Sequence, residues 1–336
     1  MKKFIFDIYL KELKQLSKKG KSVMGLLVTD AYSAFVVKAR SFVERASVLD
    51  FYSYSAVNIL SAVNIFSPCI EIRGGKMKLR ATDDVHVAIT GWGNIVINGV
   101  QKKVWKVFHL TRGHEIELVA KPYSILYLNL VGGMKLSDVK SSGKIRGECE
   151  ILPSSKYSFE ETDRVKRALT IPESYIPDLN GDRKLVKVIS EENVRISGEA
   201  TVVGKAFERE YILKRESLLE EITPTEYSQG GAGSLLIKDK GHLSVPLVHV
   251  NEEMPLLGRL SPPSLDLLAR VPERDRISIM FTGTQAEEWE VYNYIKKIMK
   301  LQKIIKAAKE AAQRGAKLLK LKINGKIFDA WIEELE

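Results

Sequence analysis

Apolar and polar residues alternate with a period of two along much of this chain, and that period marks β-strands. In VHVAITGWGN, Val85, Val87 and Ile89 alternate with His86 and Ala88 and stop at Gly91 and Gly93, which predicts a strand entering a tight turn. IVINGVQKKVW alternates about Asn98-Gly99, the dipeptide that most readily adopts the positive φ angles of a hairpin turn. HLTRGHEIELVA sets Arg112-Gly113 before Ile116, Leu118 and Ala120, and SILYLNLVGG is a nearly continuous apolar run ending on Gly132-Gly133. Four strands and three glycine-marked turns within residues 85–133 predict an antiparallel meander or barrel.

The remaining pattern extends this picture. Residues 4–19 suit an amphipathic helix closed by Gly20, and strands are expected at 23–29 and 34–39. After Asp50, a residue type suited to cap a helix, Tyr54, Val57, Ile59, Leu60 and Val63 recur at helical spacing, which predicts a helix over 50–64. CIEIRGGKMKLRATDDVHVAITG reads as two more strands joined through Gly74-Gly75. Residues 135–158 are polar and aperiodic, as a domain boundary is. Beyond them lie further strands, a short helix after Pro262-Pro263, a long helix, and a final hairpin turning at Asn324-Gly325. The expected fold is mainly β. An N-terminal domain takes residues 1–150, a second β domain 156–285, and a cationic helix with the terminal hairpin 286–336.

Composition narrows the function classes. A chain of 336 residues holds two ordinary cores, and no run of eighteen apolar residues suggests a membrane span. Asp7, Lys11 and Glu12 interrupt the first apolar stretch, a poor signal peptide, so a cytoplasmic location is expected. The two cysteines, Cys69 and Cys149, stand far apart with no C-x-x-C pair, and the five histidines are dispersed, so no metal is expected. The net charge of +10 is concentrated in residues 293–322, where ten basic residues face one acidic residue, Glu310. Ile295, Ile298, Met299, Ile305, Ala308, Ala312 and Leu319 recur at helical intervals there, with lysines between them. A solvated face is the plain explanation; a surface for an acidic partner or nucleic acid is the sharper one, and the scarcity of aromatics disfavours nucleic acid.

Chemical motifs are sparse. Gly143-Lys144 lacks the first glycine and the hydroxyl of a phosphate loop, and the glycines of QGGAGS serve either an anion cradle or a loop with positive φ. Adjacent carboxylates such as Glu252-Glu253 point to opposite faces of an extended chain and make poor acid–base pairs.

The order of these features resembles the KipA family, also called allophanate hydrolase subunit-two-like or biotin-dependent carboxyltransferase-like, whose members include a component of 5-oxoprolinase. The resemblance rests on Thr90-Gly91, Asn98-Gly99, Trp105, Gly113, and Tyr127-Leu128 leading to Gly132-Gly133. Asp50 followed by Ala56, Asn58 and Leu60 is similar to the family's helix, and GAGSLLIKDKGHLSVPLV, PERDRISIMF and LKINGKIFDAWIEEL are similar to its later strands and terminal hairpin. It implies two cyclophilin-like β-barrel domains. It also implies one subunit of an ATP-dependent 5-oxoprolinase, a hydrolase that opens 5-oxoproline to glutamate beside KipI-like and LamB/YcsF-like subunits in a hetero-oligomer. The alternative is a biotin-dependent carboxyltransferase component like that of urea carboxylase. No Met-Lys-Met occurs here, so biotin would arrive on a separate carrier, whereas ATP would be bound at the level of the complex.

Four loops depart from the family pattern: VTDAYSAFVVKAR, KLSDVKSSGK, AFEREYILKR and HVNEEMP. This is a divergent member by resemblance, and a third reading is a non-catalytic regulatory or binding subunit. The residues expected at a site are Asp50, Asn58, Thr90, Asn94, Gly132, Gly133 and Gly233 for substrate, and Asn251, Glu252 and Arg259 for catalysis. Each has a structural alternative: Asp50 as a helix cap, the glycines as turn residues, Asn251 and Glu252 as solvated side chains.

Overall fold

The computed structural model describes residues 25–42, 48–121, 124–136, 143–154, 169–178, 184–190, 197–207, 209–216, 226–229, 232–247, 253–323 and 326–332. The helix expected over 4–19, the turn at Asn324-Gly325, and Asn251 and Glu252 lie outside these residues.

The first sheet has eleven strands. In chain order they are β1 (Leu26–Val37), then after helix α1 (Phe51–Leu60) β2 (Cys69–Ala81), β3 (Val85–Gly91), β4 (Gly93–Ile97), β5 (Val100–Lys102), β6 (Lys106–Leu110), β7 (Glu115–Ala120), β8 (Ile125–Leu130), β9 (Met134–Leu136), β10 (Gly143–Lys144) and β11 (Cys149–Pro153). Its backbone is the long β1–β2 pair, in register from Leu26 opposite Ala81 to Val37 opposite Cys69, with two shifts on the way. Along its other edge β2 pairs first with β8 and then with β7, so the sheet branches near Gly74-Gly75.

Two expectations are corrected here. The two strands expected at 23–29 and 34–39 are replaced among the described residues by the single strand Leu26–Val37, and Gly74-Gly75 lies inside another. Gly74 takes a φ of 53° and Gly75 has no room for a Cβ, which would fall 2.1 Å from the Tyr32 carbonyl oxygen. These glycines absorb a bulge without ending the strand. Residues 85–133 also form six strands rather than a four-stranded meander, because β3 pairs with β6 and β8 whereas β4 pairs with β5 and β7. The Asn98-Gly99 turn is as expected, with φ angles of 48° and 79° at the two residues.

The second sheet comprises β12 (Leu185–Ile189), β13 (Ser197–Ala206), β14 (Glu210–Arg215), β15 (Glu226–Gln229), β16 (Ser234–Ile237), β17 (His242–Pro246) and β18 (Glu253–Leu260). After helix α2 (Pro262–Arg270) it is completed by β19 (Arg276–Thr282). Seven of these strands close into a ring, because β12 pairs in parallel with β19 and also antiparallel with β18, while β15 adds to β18. Closure removes the free edges that a sheet otherwise exposes. Helix α3 (Thr284–Gln313) and the hairpin of β20 (Lys317–Ile323) and β21 (Lys326–Ile332) follow. The architecture is therefore mainly β with a long C-terminal helix and a terminal hairpin, as the sequence predicts.

Every residue of α1 is buried, and its apolar side chains share one core with Tyr294, Ile298, Leu301, Ile305, Ala308 and Ala312 of α3. Burying one such Leu or Ile contributes about 2 kcal/mol, so the row along α3 holds that helix firmly against α1. Met299 and Leu319, expected on the same stripe, are exposed. Leu319 falls past the helix end, where Gly315 and a new strand change the period. Among the described residues no helix is long and apolar enough to cross a membrane.

Candidate functional site

The amino end of α1 lies between the two sheets, and carboxylates satisfy its N–H groups from both sides. Asp50 caps the helix through Ser53 N at 3.1 Å, and Tyr54 N donates to the Asp50 carbonyl at 3.0 Å. Asp266, brought in by α2, accepts from Phe51 N at 2.9 Å and Tyr52 N at 3.0 Å. With Asp50 N, which donates to the Tyr127 hydroxyl at 2.9 Å, all four N–H groups that a helix start leaves unpaired are used. Arg270, one turn after Asp266, donates Nε and Nη2 to Asp50 at 2.8 and 2.6 Å, a fork matched to a carboxylate, and Tyr294 of α3 donates its hydroxyl to Asp266. Burial works against the charge on Arg270, but Asp50 and then Asp266 outweigh it and hold the guanidinium protonated.

A second buried pair continues the joint. Glu71 and Arg73, two apart on β2 and so on one face, form an ion pair. Tyr127 donates to Glu71 and accepts from Asp50 N at 2.9 Å, while Arg73 reaches the Phe207 carbonyl at 3.1 Å. Burial raises the Tyr127 hydroxyl well above its ordinary range, and Glu71 raises it further, so it stays a donor. From the second sheet Lys205 enters this joint, its Nζ 3.1 Å from the Ala269 carbonyl, and burial lowers its pKa to about 7.

One to two turns along α1 the chain opens into a cavity of about 420 Å³, lined by Lys38, Ala39, Arg40, Asn64, Phe66, Ser67 and Pro68. Its walls are fixed from below. The Tyr54 hydroxyl donates to Ser67 O at 2.7 Å and accepts from Ala39 N at 3.2 Å, tying one wall to the other. Asn58 Nδ2 donates to Ile65 O and Ser67 O at 3.1 and 2.9 Å, and Asn129 Nδ2 donates to Asn58 Oδ1 at 2.8 Å. Among the described residues the charged ones lining the cavity are Lys38 and Arg40, both cations, an arrangement that attracts a carboxylate or a polarised carbonyl oxygen.

The expected site residues divide into groups. Asp50 and Thr90 meet at the first turn of α1, where Thr90 Oγ1 donates to Ser53 O at 2.6 Å. Asn58, Gly132 and Gly133 gather at its other end, where Gly132 N donates to Ser61 O at 2.8 Å and both glycines have φ near 85°. Asn94 stands apart, exposed on β4, its Oδ1 accepting from Gln101 Nε2 at 3.4 Å. Gly233 takes a positive φ of 85° and packs against Leu265, and Arg259 is exposed on β18 opposite Ser234.

Sequence reasoning missed Lys38, Arg40, Tyr54, Glu71, Arg73, Tyr127, Asp266 and Arg270. Two of these pairs were readable by spacing: Glu71 and Arg73 on one strand face, and Asp266 and Arg270 four apart on a short helix. Nothing in the sequence brings Arg270 to Asp50, 220 residues earlier.

Residues 43–146 match the family model described as carboxyltransferase domain, subdomain A and B. No curated protein matches the chain. Two crystal structures of TTHA0988 superpose with TM-scores of 0.61 and 0.59 at 15% and 16% identity, covering 77% of this chain and 56% and 55% of theirs. The Kluyveromyces lactis urea carboxylase superposes with a TM-score of 0.60 at 12% identity, over 85% of this chain and 32% of that one. The chain thus spans little more than half the length of the TTHA0988 structures, and at these identities the likeness is one of fold. Residues 43–146 thus resemble a carboxyltransferase domain, and over the wider chain the likeness is one of β-barrel fold.

Proposed function

We propose that the chain is the carboxyltransferase-like component of an enzyme acting at an amide or urea nitrogen, with its substrate held in the cavity between Ala39 and Pro68. The observation that carries this reading is that Asn64, Phe66, Ser67 and Pro68 of the cavity wall lie in the segment matching the carboxyltransferase domain, under two cations. The volume is within the range of small-molecule sites. Lys38 and Arg40 would hold the carboxyl group, and Asn64 and Ser67 offer side-chain hydrogen bonds beside it. Tyr54 and Asn58 act as positioning residues, because they set the separation of the two walls. Biotin, on a separate carrier, would supply the carboxyl group.

The 5-oxoprolinase reading places the same chain beside KipI-like and LamB/YcsF-like subunits, with ATP bound by the complex. One observation favours it: 5-oxoproline carries a carboxylate that two cations suit, whereas urea is neutral. Reconstitution of the chain with these subunits and a biotinylated carrier separates the readings. Chain-dependent transfer of labelled carboxyl groups to urea supports the carboxyltransferase reading. ATP-dependent glutamate release from 5-oxoproline supports the other. A stable complex with neither reaction would mark a non-catalytic subunit and overturn both.

A further inference from the structure

Helix α3 carries two rows of residues at one spacing. Tyr294, Ile298, Leu301, Ile305, Ala308 and Ala312 follow each other at intervals of four and three and are buried in the core shared with α1. Trp289, Tyr292, Lys296, Met299 and Lys303 keep the same alternation, and all five are exposed. Each of the last four stands two residues before a member of the buried row, about 200° around the axis at about 100° per residue. The outer row therefore runs along the face of α3 opposite the core.

That row begins with aromatic rings in solvent. Trp289 and Tyr292 are 66% and 54% exposed and stack on each other, with centroids 5.9 Å apart and 24° between the planes. Neither ring belongs to the core that holds α3 in place, and Trp and Tyr are the residue types most enriched at the centres of protein interfaces.

The charge on this same face indicates the occupant. Lys296 lies on the row itself, its Nζ 5.6 Å from the Tyr292 ring centre, and the exposed Lys300 and Lys303 follow within two turns. Among the described residues carboxylates reach this face at its two ends, as Glu288 beside Trp289 and Glu310 at 3.9 Å from Lys306. A molecule laid along α3 thus meets rings first and then a run of lysines. Alternating intervals of three and four form the seam along which a second helix packs, and carboxylates on that helix would answer the lysines. A phosphate chain is anionic throughout and would meet Glu288 and Glu310, whereas a helix with an apolar end avoids setting charge against Glu288. A second copy with its row in full overlap sets Lys296 against Lys296 in either direction, and each copy carries a net charge of +10, which opposes association.

We propose that the outer face of α3, from Trp289 to Lys303, docks a helix of a partner protein that is apolar at one end and acidic along the rest. The inference goes beyond the proposed function and does not use it.

The test uses the full chain and a fluorescent helical peptide with leucine at the seam positions of one end and glutamate at those of the other. The same peptide with lysine in place of glutamate, a single-stranded oligonucleotide and phosphatidylserine vesicles are the further probes. Saturable binding of the leucine–glutamate peptide is expected, weakened about tenfold or more in the double variant W289A/Y292A. Because both rings are exposed, the unfolding midpoint of that variant should stay where it was. A second variant, K296E/K303E, should turn the preference toward the leucine–lysine peptide. The proposal is overturned by absence of saturable peptide binding, by equal binding in W289A/Y292A, or by tighter binding of the oligonucleotide or the vesicles than of the peptide. Concentration-dependent dimerisation abolished by W289A/Y292A would also overturn it, in favour of a second copy.

Discussion

The joint at the amino end of α1 and the cavity one to two turns further along draw on the same kinds of residue and use them in opposite ways. In the joint, the buried Asp50 and Asp266 and the largely buried Arg270 are mutually paired, with Ser53 and Tyr294 taking further lone pairs. At the cavity, Lys38 and Arg40 are exposed beside Asn64 and Ser67, while the fully paired side chains, Tyr54 and Asn58, lie beneath. A charge whose partners are all supplied by the fold holds the fold together. The Lys38 ammonium, exposed at the cavity wall, faces solvent where a ligand can reach it.

The comparison breaks most easily at Arg270. Changing Arg270→Met leaves Asp50 and Asp266 buried without their cation, and breaking one side of a buried pair costs about 3–5 kcal/mol. Denaturant unfolding measures this directly. A loss under about 1 kcal/mol would mean that solvent reaches the joint and that the pairing is not structural.

The fate of Asp50 shows how much of this was legible. A cap was readable because Asp precedes a helical run, and the cap is there. The second cap, Asp266, comes from another sheet's helix, and no local pattern reports a contact between residues 215 positions apart. The Asn98-Gly99 turn and the terminal hairpin were legible because turn chemistry and the two-residue period are local signals. Gly74-Gly75 misled because two glycines read alike at the end of a strand and at a bulge inside one. For the candidate site, Asn58 and Gly132-Gly133 were legible as a group through resemblance. Lys38 and Arg40 were not, because an alternating strand end gives no sign that the chain folds back at 64–68 to make a wall.

Asn58 probes the floor of the cavity. Removing its amide in Asn58→Ala takes the Asn58 donor from Ile65 O and one of two partners each from Ser67 O and Asn129 Nδ2, and an unsatisfied buried group costs about 1–3 kcal/mol. Substrate KM should rise with it, since Ser67 loses its support. A stability loss with unchanged KM would separate Asn58 from the site.

Lys205 tests the joint through pH. Its folded pKa is about 7, below the ordinary value of 10.5, so between these values the unfolded chain binds the extra proton. Stability contributed by this group therefore increases as pH rises from about 7 to 10.5 and is lost below that window. Lys205→Met should flatten the slope of unfolding free energy against pH across this range and stabilise the protein at lower pH. An unchanged slope would mean that Lys205 stays charged in the folded protein.

The central claim is that the cavity, not the joint, holds substrate. Its most direct test is carboxyl transfer to urea by the reconstituted complex, with glutamate release from 5-oxoproline measured in parallel, comparing the native chain with Lys38→Ala, Arg40→Ala and the double variant. Removing one charge-assisted contact costs about 1.5–3 kcal/mol, or roughly tenfold or more in kcat/KM, with the unfolding midpoint of Lys38→Ala unchanged. Full activity in the double variant, in whichever reaction the complex performs, would contradict the account.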